Sequence, residues 1–166
     1  VRPVTINGGM RMRAWYDILG ADIARREDEA TLRSSQKLVE ALIAREVERG
    51  VAARRIVLAG FSQGCAMTLL TGLRHPERLA GLMGLSGYLP LAATTAAERH
   101  PANAGVPVFL AHGRYDQVIP IDRATASRDA LQALGYAVEW HEYPMPHSVC
   151  PEEVDDIQDW LLRVLG

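Results

Sequence analysis

Residues 56–70 read IVLAGFSQGCAMTLL, and the fold of the chain turns on them. Ile56, Val57, Leu58 and Ala59 form an unbroken apolar run, the pattern of a strand covered on both faces. Gly60-Phe61-Ser62-Gln63-Gly64 follows without a spacer, and Cys65 to Leu70 then read as a buried helix. A G-x-S-x-G set between strand and helix is a sharp turn that lifts its serine hydroxyl clear of the sheet. The glycines at 60 and 64 leave the room that such a turn and close strand–helix packing require. Ser62 is therefore a candidate nucleophile. The backbone N–H of Gln63, at the helix N-terminus, is a candidate donor to developing negative charge. Stripped of its flanks, the same pentapeptide reads as an ordinary Gly/Ser turn.

Working outward, Asp28 to Arg49 is expected to be a helix, with Leu32, Leu38, Leu42 and Val47 as a loose apolar stripe. Glu27, Asp28 and Glu29 suit its positive end, and Gly50 stops it. Residues 1–21, broken by Pro3, Asn7, Gly8 and Gly9, read as a loop. Its Trp15 and Tyr16 either line a pocket or pack the loop onto the core. Downstream, Leu79–Leu85, Val106–His112 and Ala137–Tyr143 are strand candidates, the last at an edge. The loop of small residues after the first of these carries Tyr88 and Leu89, which either touch substrate or serve the core. Asp122 is read as the cap of a helix running to Leu134. Pro151 opens a last helix, with Glu152 and Glu153 in its first turn and Val154, Ile157, Leu161 and Leu165 as its stripe. Strands alternating with helices imply an α/β fold, a mostly parallel sheet with helices on its faces.

Bulk properties narrow the field. The 166 residues suit one domain spanning 1–166, and 48% apolar with 23% charged residues is ordinary globular composition. A net charge of −2 gives no electrostatic reason to expect nucleic acid or an anionic membrane as partner. No apolar run approaches the ~20 residues of a membrane span. Cys65 and Cys150 have no metal-type spacing and are too few for a disulfide scaffold, so they are expected to be free thiols in a reducing compartment. No signal peptide is legible, and a cytoplasmic location follows as the expectation. Val1 in place of Met is expected where an upstream part is removed or a GTG start codon is read literally.

Ser62 needs a base, because an isolated serine hydroxyl is a poor nucleophile near neutral pH. Of five histidines, His141 lies inside a strand, His112 at a strand end, His75 at the opposite edge of the sheet, and His100 in a loop with no anchor. His147 lies just past the fourth strand, in a turn stiffened by Pro144 and Pro146, and is the candidate base. The acid that orients it belongs after the preceding strand, where Asp116 in HGRYDQVIP fits; Asp122 is better explained as a cap.

The chain resembles the phospholipase/carboxylesterase family of α/β hydrolases, near small bacterial carboxylesterases and akin to acyl-protein thioesterases. The pieces that carry the likeness are PVTINGGMRMRAWYDI, RIVLAGFSQGCAM, GLMGLSGYLPL, VFLAHGRYDQVIP and the histidine of PMPHSVCPEE. The order Ser62, Asp116, His147 is that of the α/β-hydrolase triad. The resemblance implies a serine carboxylesterase acting on short-chain esters, extending to lysophospholipid or thioester substrates, with no metal or cofactor. It also implies a departure. The family's N-terminal strands and its HGxG-type loop, which supplies a second oxyanion N–H, have no counterpart here; Gly8-Gly9 is not preceded by an expected strand. One lost oxyanion donor costs on the order of 10²–10³ in rate. The Ser62 strand is then expected at a free edge, covered by a second copy of the chain or by a partner segment. The competing reading is a truncated, feebly active remnant that serves as a binding or assembly module.

Overall fold

A computed structural model of the chain describes residues 1–19 and 27–166. Four parallel strands form its sheet in the order β3-β4-β5-β6: β3 Val57–Phe61, β4 Gly81–Leu85, β5 Val108–Gly113 and β6 Val138–Tyr143. The helices are α1 Glu29–Glu48, α2 Gln63–Gly72, α3 Ala92–Glu98, α4 Ile121–Ala133 and α5 Pro151–Leu165. The expected α/β architecture is the one observed.

Side-chain alternation along the strands divides the core in two. Leu82, Val108 and Leu110 pack with Ile43 of α1, Leu69 of α2 and Leu131 of α4. Met83, Phe109 and Ala111 face the other way, onto Trp160 of α5. Gly81 makes room for that indole, since a Cβ there would lie 2.4 Å from the Trp160 ring. Helices thus cover both faces, which is why the strands read as continuous apolar runs.

Several local expectations need correction. Residues 1–12 are not all loop: β1 Arg2–Val4 and β2 Met10–Met12 form an antiparallel hairpin, turning at Gly8 and Gly9 with φ of 64° and 76°. Gly8-Gly9 therefore does follow a strand, but one outside the main sheet. Gly20 and Ala21, the end of the expected loop, lie outside the described residues. The buried face of α1 is Leu32, Ser35, Val39 and Ile43, while Leu38 and Leu42 are more than half exposed. Asp28 caps α1, accepting from the Thr31 N–H at 3.1 Å. Asp122 caps nothing: α4 starts at Ile121 after Pro120, and Asp122 sits in its first turn. α3 arises inside the stretch read as loop, where runs of Ala and Thr hid it. On α5, Glu153 and Trp160 are buried and Val154 is exposed, so its inward face is rotated from the expected stripe.

β6 and β3 are the sheet edges. Among the described residues, the strand leading to Ser62 therefore has one hydrogen-bonding side open. Beside it runs a groove of about 450 Å³, lined by Trp15, Leu42, Ile56, Phe61, Gly64 and Met67 among others.

Candidate active site

At the end of β3 the backbone reverses into α2 through Ser62, whose φ of 57° and ψ of −117° are rare for a residue with a side chain. Such a conformation costs on the order of 1–3 kcal/mol and persists only where neighbours enforce it. The Ser62 N–H donates to the Leu85 carbonyl at 2.8 Å, pinning the turn to β4. Gly60 lies so close to the turn that a Cβ would sit 2.2 Å from both the carbonyl carbon and the oxygen of Gly64. Gly64 itself has nothing within 4 Å of its own Cβ position, so the expected steric need holds at only one of the two glycines. Gly87, which the motif does not include, is as tight: a Cβ there would meet Cys65 Cβ at 2.4 Å and the Ser62 oxygen at 2.8 Å.

Asp116 and His147 meet. His147 Nδ1 lies 2.6 Å from Asp116 Oδ2, although 31 residues separate them. The Asp116 side chain is fully buried, and its Oδ1 accepts from the Val118 and Ile119 N–H groups at 2.8 Å each. An ionised carboxylate accepts readily from all these donors, and the 2.6 Å contact requires the proton on Nδ1 of His147. In a neutral imidazole that tautomer has Nε2 as its acceptor. His112 adds a supporting contact: its Nε2 donates to the Ile119 carbonyl at 2.8 Å and lies 3.4 Å from Asp116 Oδ2. The His147 ring rests on Phe61, with centroids 4.7 Å apart, and Phe61 is the last residue of β3, next to Ser62 in the chain. Among the described residues no hydrogen bond joins the Ser62 hydroxyl to that ring. Such contacts commonly close only when substrate is bound.

Gln63 has two attachments. Its N–H opens α2, and its side chain holds the N-terminal segment, with Oε1 accepting from Trp15 N–H at 2.8 Å and Nε2 donating to the Tyr16 carbonyl at 3.0 Å. Trp15 lines the groove along β3. Tyr88 and Leu89 do not: they are 3% and 5% exposed and pack in the core. Tyr88 shares a 2.9 Å hydroxyl–hydroxyl hydrogen bond with buried Tyr16. Their structural reading is the one these contacts favour. The Cys65 thiol is buried and pushed up to about 12, too high to serve as a nucleophile. Both cysteines are free. Among the described residues no group of three His, Cys, Asp or Glu is arranged to hold a metal ion, and no helix is long and apolar enough to cross a membrane.

The family model for phospholipase/carboxylesterase matches residues 1–165. The chain belongs to this family. Among phospholipase/carboxylesterase relatives, acyl-protein thioesterase 1 of Gibberella zeae is 43% identical over 171 residues, covering 98% of this chain and 73% of that protein. The crystal structure of SOBER1 from Arabidopsis thaliana superposes with a TM-score of 0.93 at 28% identity, covering 99% of this chain and 80% of that one. Acyl-protein thioesterase 2 of Zea mays gives a TM-score of 0.86 at 30% identity, covering 99% and 78%. The chain is thus a phospholipase/carboxylesterase-family hydrolase with an α/β-hydrolase fold. Those two relatives are named acyl-protein thioesterases, not short-chain carboxylesterases.

Phe61, Gly87, His112 and the side chain of Gln63 escaped the sequence reading. Phe61 and Gln63 stood inside the motif, but only as its variable positions. His112, four residues before Asp116, carried a legible spacing and no legible purpose.

Proposed function

We propose that the chain cleaves acyl thioesters on proteins, with Ser62 as nucleophile, His147 as base and Asp116 as the acid that orients it. The observations that support this reading are the 2.6 Å bond between His147 and a fully buried Asp116 and the strained turn that holds Ser62. Ser62 Oγ attacks the thioester carbonyl while His147 Nε2 takes its proton. The Gln63 N–H stabilises the oxyanion. Collapse breaks the C–S bond, and the thiol leaves with the proton from His147. Water, deprotonated by His147, then attacks the acyl-serine, and the carboxylic acid departs as Ser62 regains its proton. A thiol leaving group, with a pKa of about 8.5, needs less help from an acid than an alcohol does. The apolar groove beside β3, with Trp15 at its wall, suits an acyl chain.

The test pairs an acyl thioester with the matching chromogenic oxygen ester. The thioester is expected to turn over faster, and Ser62→Ala to abolish both reactions. Equal rates for wild type and Ser62→Ala would refute the hydrolase reading. Faster oxygen-ester cleavage would restore the short-chain carboxylesterase. A second reading, an assembly module of little activity, draws on the open side of β3. Gel filtration at low concentration separates the two, because a stable monomer argues against it. The two free cysteines support a reducing, cytoplasmic setting for either reading.

A further inference from the structure

The turn that carries Asp116 runs from the end of β5 to the start of α4. Its first half is laced to the segment that leads to His147. Arg114 N–H donates to the Tyr143 carbonyl at 2.9 Å, and Tyr115 N–H to the Met145 carbonyl at 3.1 Å. Gly113 allows that approach, since a Cβ there would lie 2.3 Å from the Met145 oxygen. Its second half is drawn in by the acid itself, whose Oδ1 accepts from the Val118 and Ile119 N–H groups. Ile119 is buried, in the cluster that also holds Ala66 and Met67 of α2, the helix that Ser62 opens.

His112 closes this turn from the sheet. It sits on β5, 1% exposed, and its Nε2 lies 2.8 Å from the Ile119 carbonyl, seven residues on. A carbonyl only accepts, so that nitrogen carries a proton. Ile119 is thus tied through both its backbone groups, its N–H to Asp116 and its carbonyl to His112. The same Nε2 lies 3.4 Å from Asp116 Oδ2, the oxygen that accepts from His147 Nδ1 at 2.6 Å. One N–H on the sheet therefore faces both the far end of the turn and the carboxylate oxygen that orients His147. The His112 and Asp116 side chains are 1% and 0% exposed, so bulk water has no access to replace that donor. Buried polar groups left without a partner are costly, and a turn that loses such a donor rearranges to find another.

We infer that His112 is a positioning residue: its Nε2–H locks the acid-bearing turn onto β5 and fixes the direction in which the Asp116 carboxylate meets His147. This rests on the hydrolase reading above. Among the described residues His112 makes no hydrogen bond to Ser62 or His147, and it acts through Asp116 and Ile119 alone.

The test uses the full chain and two variants, His112→Leu, which has no donor, and His112→Gln, whose amide N–H reaches about as far as Nε2. One readout needs no activity: the far-downfield NMR resonance of the His147 Nδ1 proton, identified by its loss in Asp116→Asn. The other is kcat and KM on an acyl thioester, measured well below each variant's melting temperature. His112→Leu is expected to broaden or lose the resonance and to lower kcat about tenfold or more at unchanged KM, as a misplaced catalytic group does. His112→Gln is expected to recover the resonance and most of that kcat. A His112→Leu protein that melts lower but keeps both resonance and kcat would overturn the inference, because a merely structural role predicts that result. Equal damage in the two variants would overturn it as well. Should His112→Leu fail to fold, the wild type decides through the nitrogen chemical shifts of the His112 ring. A protonated Nε2 whose proton exchanges slowly supports the inference, and an unprotonated or freely exchanging Nε2 overturns it. Should the wild type prove inactive, the hydrolase reading fails while the resonance and the ring nitrogens still judge His112.

Discussion

Gly60→Ala and Gly64→Ala should have opposite consequences, though the two residues flank the same serine. An alanine Cβ at 60 would sit 2.2 Å from the carbonyl carbon and oxygen of Gly64, and 2.8 Å from the Cys65 nitrogen. All three are backbone atoms of the turn, so no side chain can rotate away. Restoring van der Waals distance requires the first turn of α2 to move roughly 1 Å away from β3, and overpacking of this kind typically costs about 1–3 kcal/mol. Ser62 and the Gln63 N–H travel with that turn. A displacement of about 1 Å at a reacting group lowers the rate on the order of 100-fold. At Gly64 the Cβ position is empty, and a helical alanine in place of glycine gains about 0.5–1 kcal/mol. The assay is the second-order rate of Ser62 labelling by a fluorophosphonate, read beside the melting temperature. Gly60→Ala should lose about two orders of magnitude in labelling and melt lower; Gly64→Ala should label normally and melt at or above wild type. A Gly60→Ala protein that labels at the wild-type rate would show that the turn does not depend on this contact.

Three further outcomes follow from other contacts. Asp116→Asn keeps an oxygen for the Val118 and Ile119 N–H groups but no longer holds the His147 proton on Nδ1, so kcat should fall on the order of 10⁴ with little change in melting temperature. Gln63→Ala releases Trp15 N–H and the Tyr16 carbonyl; amide exchange at Trp15 should accelerate, with a stability loss of about 1–3 kcal/mol, while exchange in the centre of α2 stays slow. The pH dependence of stability should carry the mark of Glu153. Burial pushes its carboxyl from 4.5 up to about 7, so the folded protein keeps a proton that the unfolded chain releases between those values. Stability from this group is fully present below pH 4.5 and is lost as pH rises to about 7, by on the order of 3 kcal/mol. Chemical denaturation across that range should show the decline in wild type and not in Glu153→Gln.

How far the chain could be read in advance differed from element to element. The strand–turn–helix at Ser62 was legible because its cause is local: an apolar run, glycine at the tight point and a buried helix directly after. Pro151 likewise announced α5. Local signals failed where a neighbour chose the face. Leu38 and Leu42 fit a helical stripe as well as Val39 and Ile43 do, and only packing against α2 and the sheet decided which pair was buried. The loop to Gly105 concealed α3 because Ala and Thr carry no periodicity to read.

The linear order of residues determined the alternation of elements, the parallel sheet and the three chemically apt side chains, since each rests on hydrophobic period, turn chemistry or order along the chain. The tertiary structure alone decided which groups touch. It brought His147 to within 2.6 Å of Asp116, laid Phe61 beneath the imidazole, withdrew Tyr88 and Leu89 into the core and buried Glu153 at the helix end. Those contacts join residues from separate segments of the chain, and no pattern within one segment encodes the distance to another. That distance is set when the sheet twists and the helices close over it.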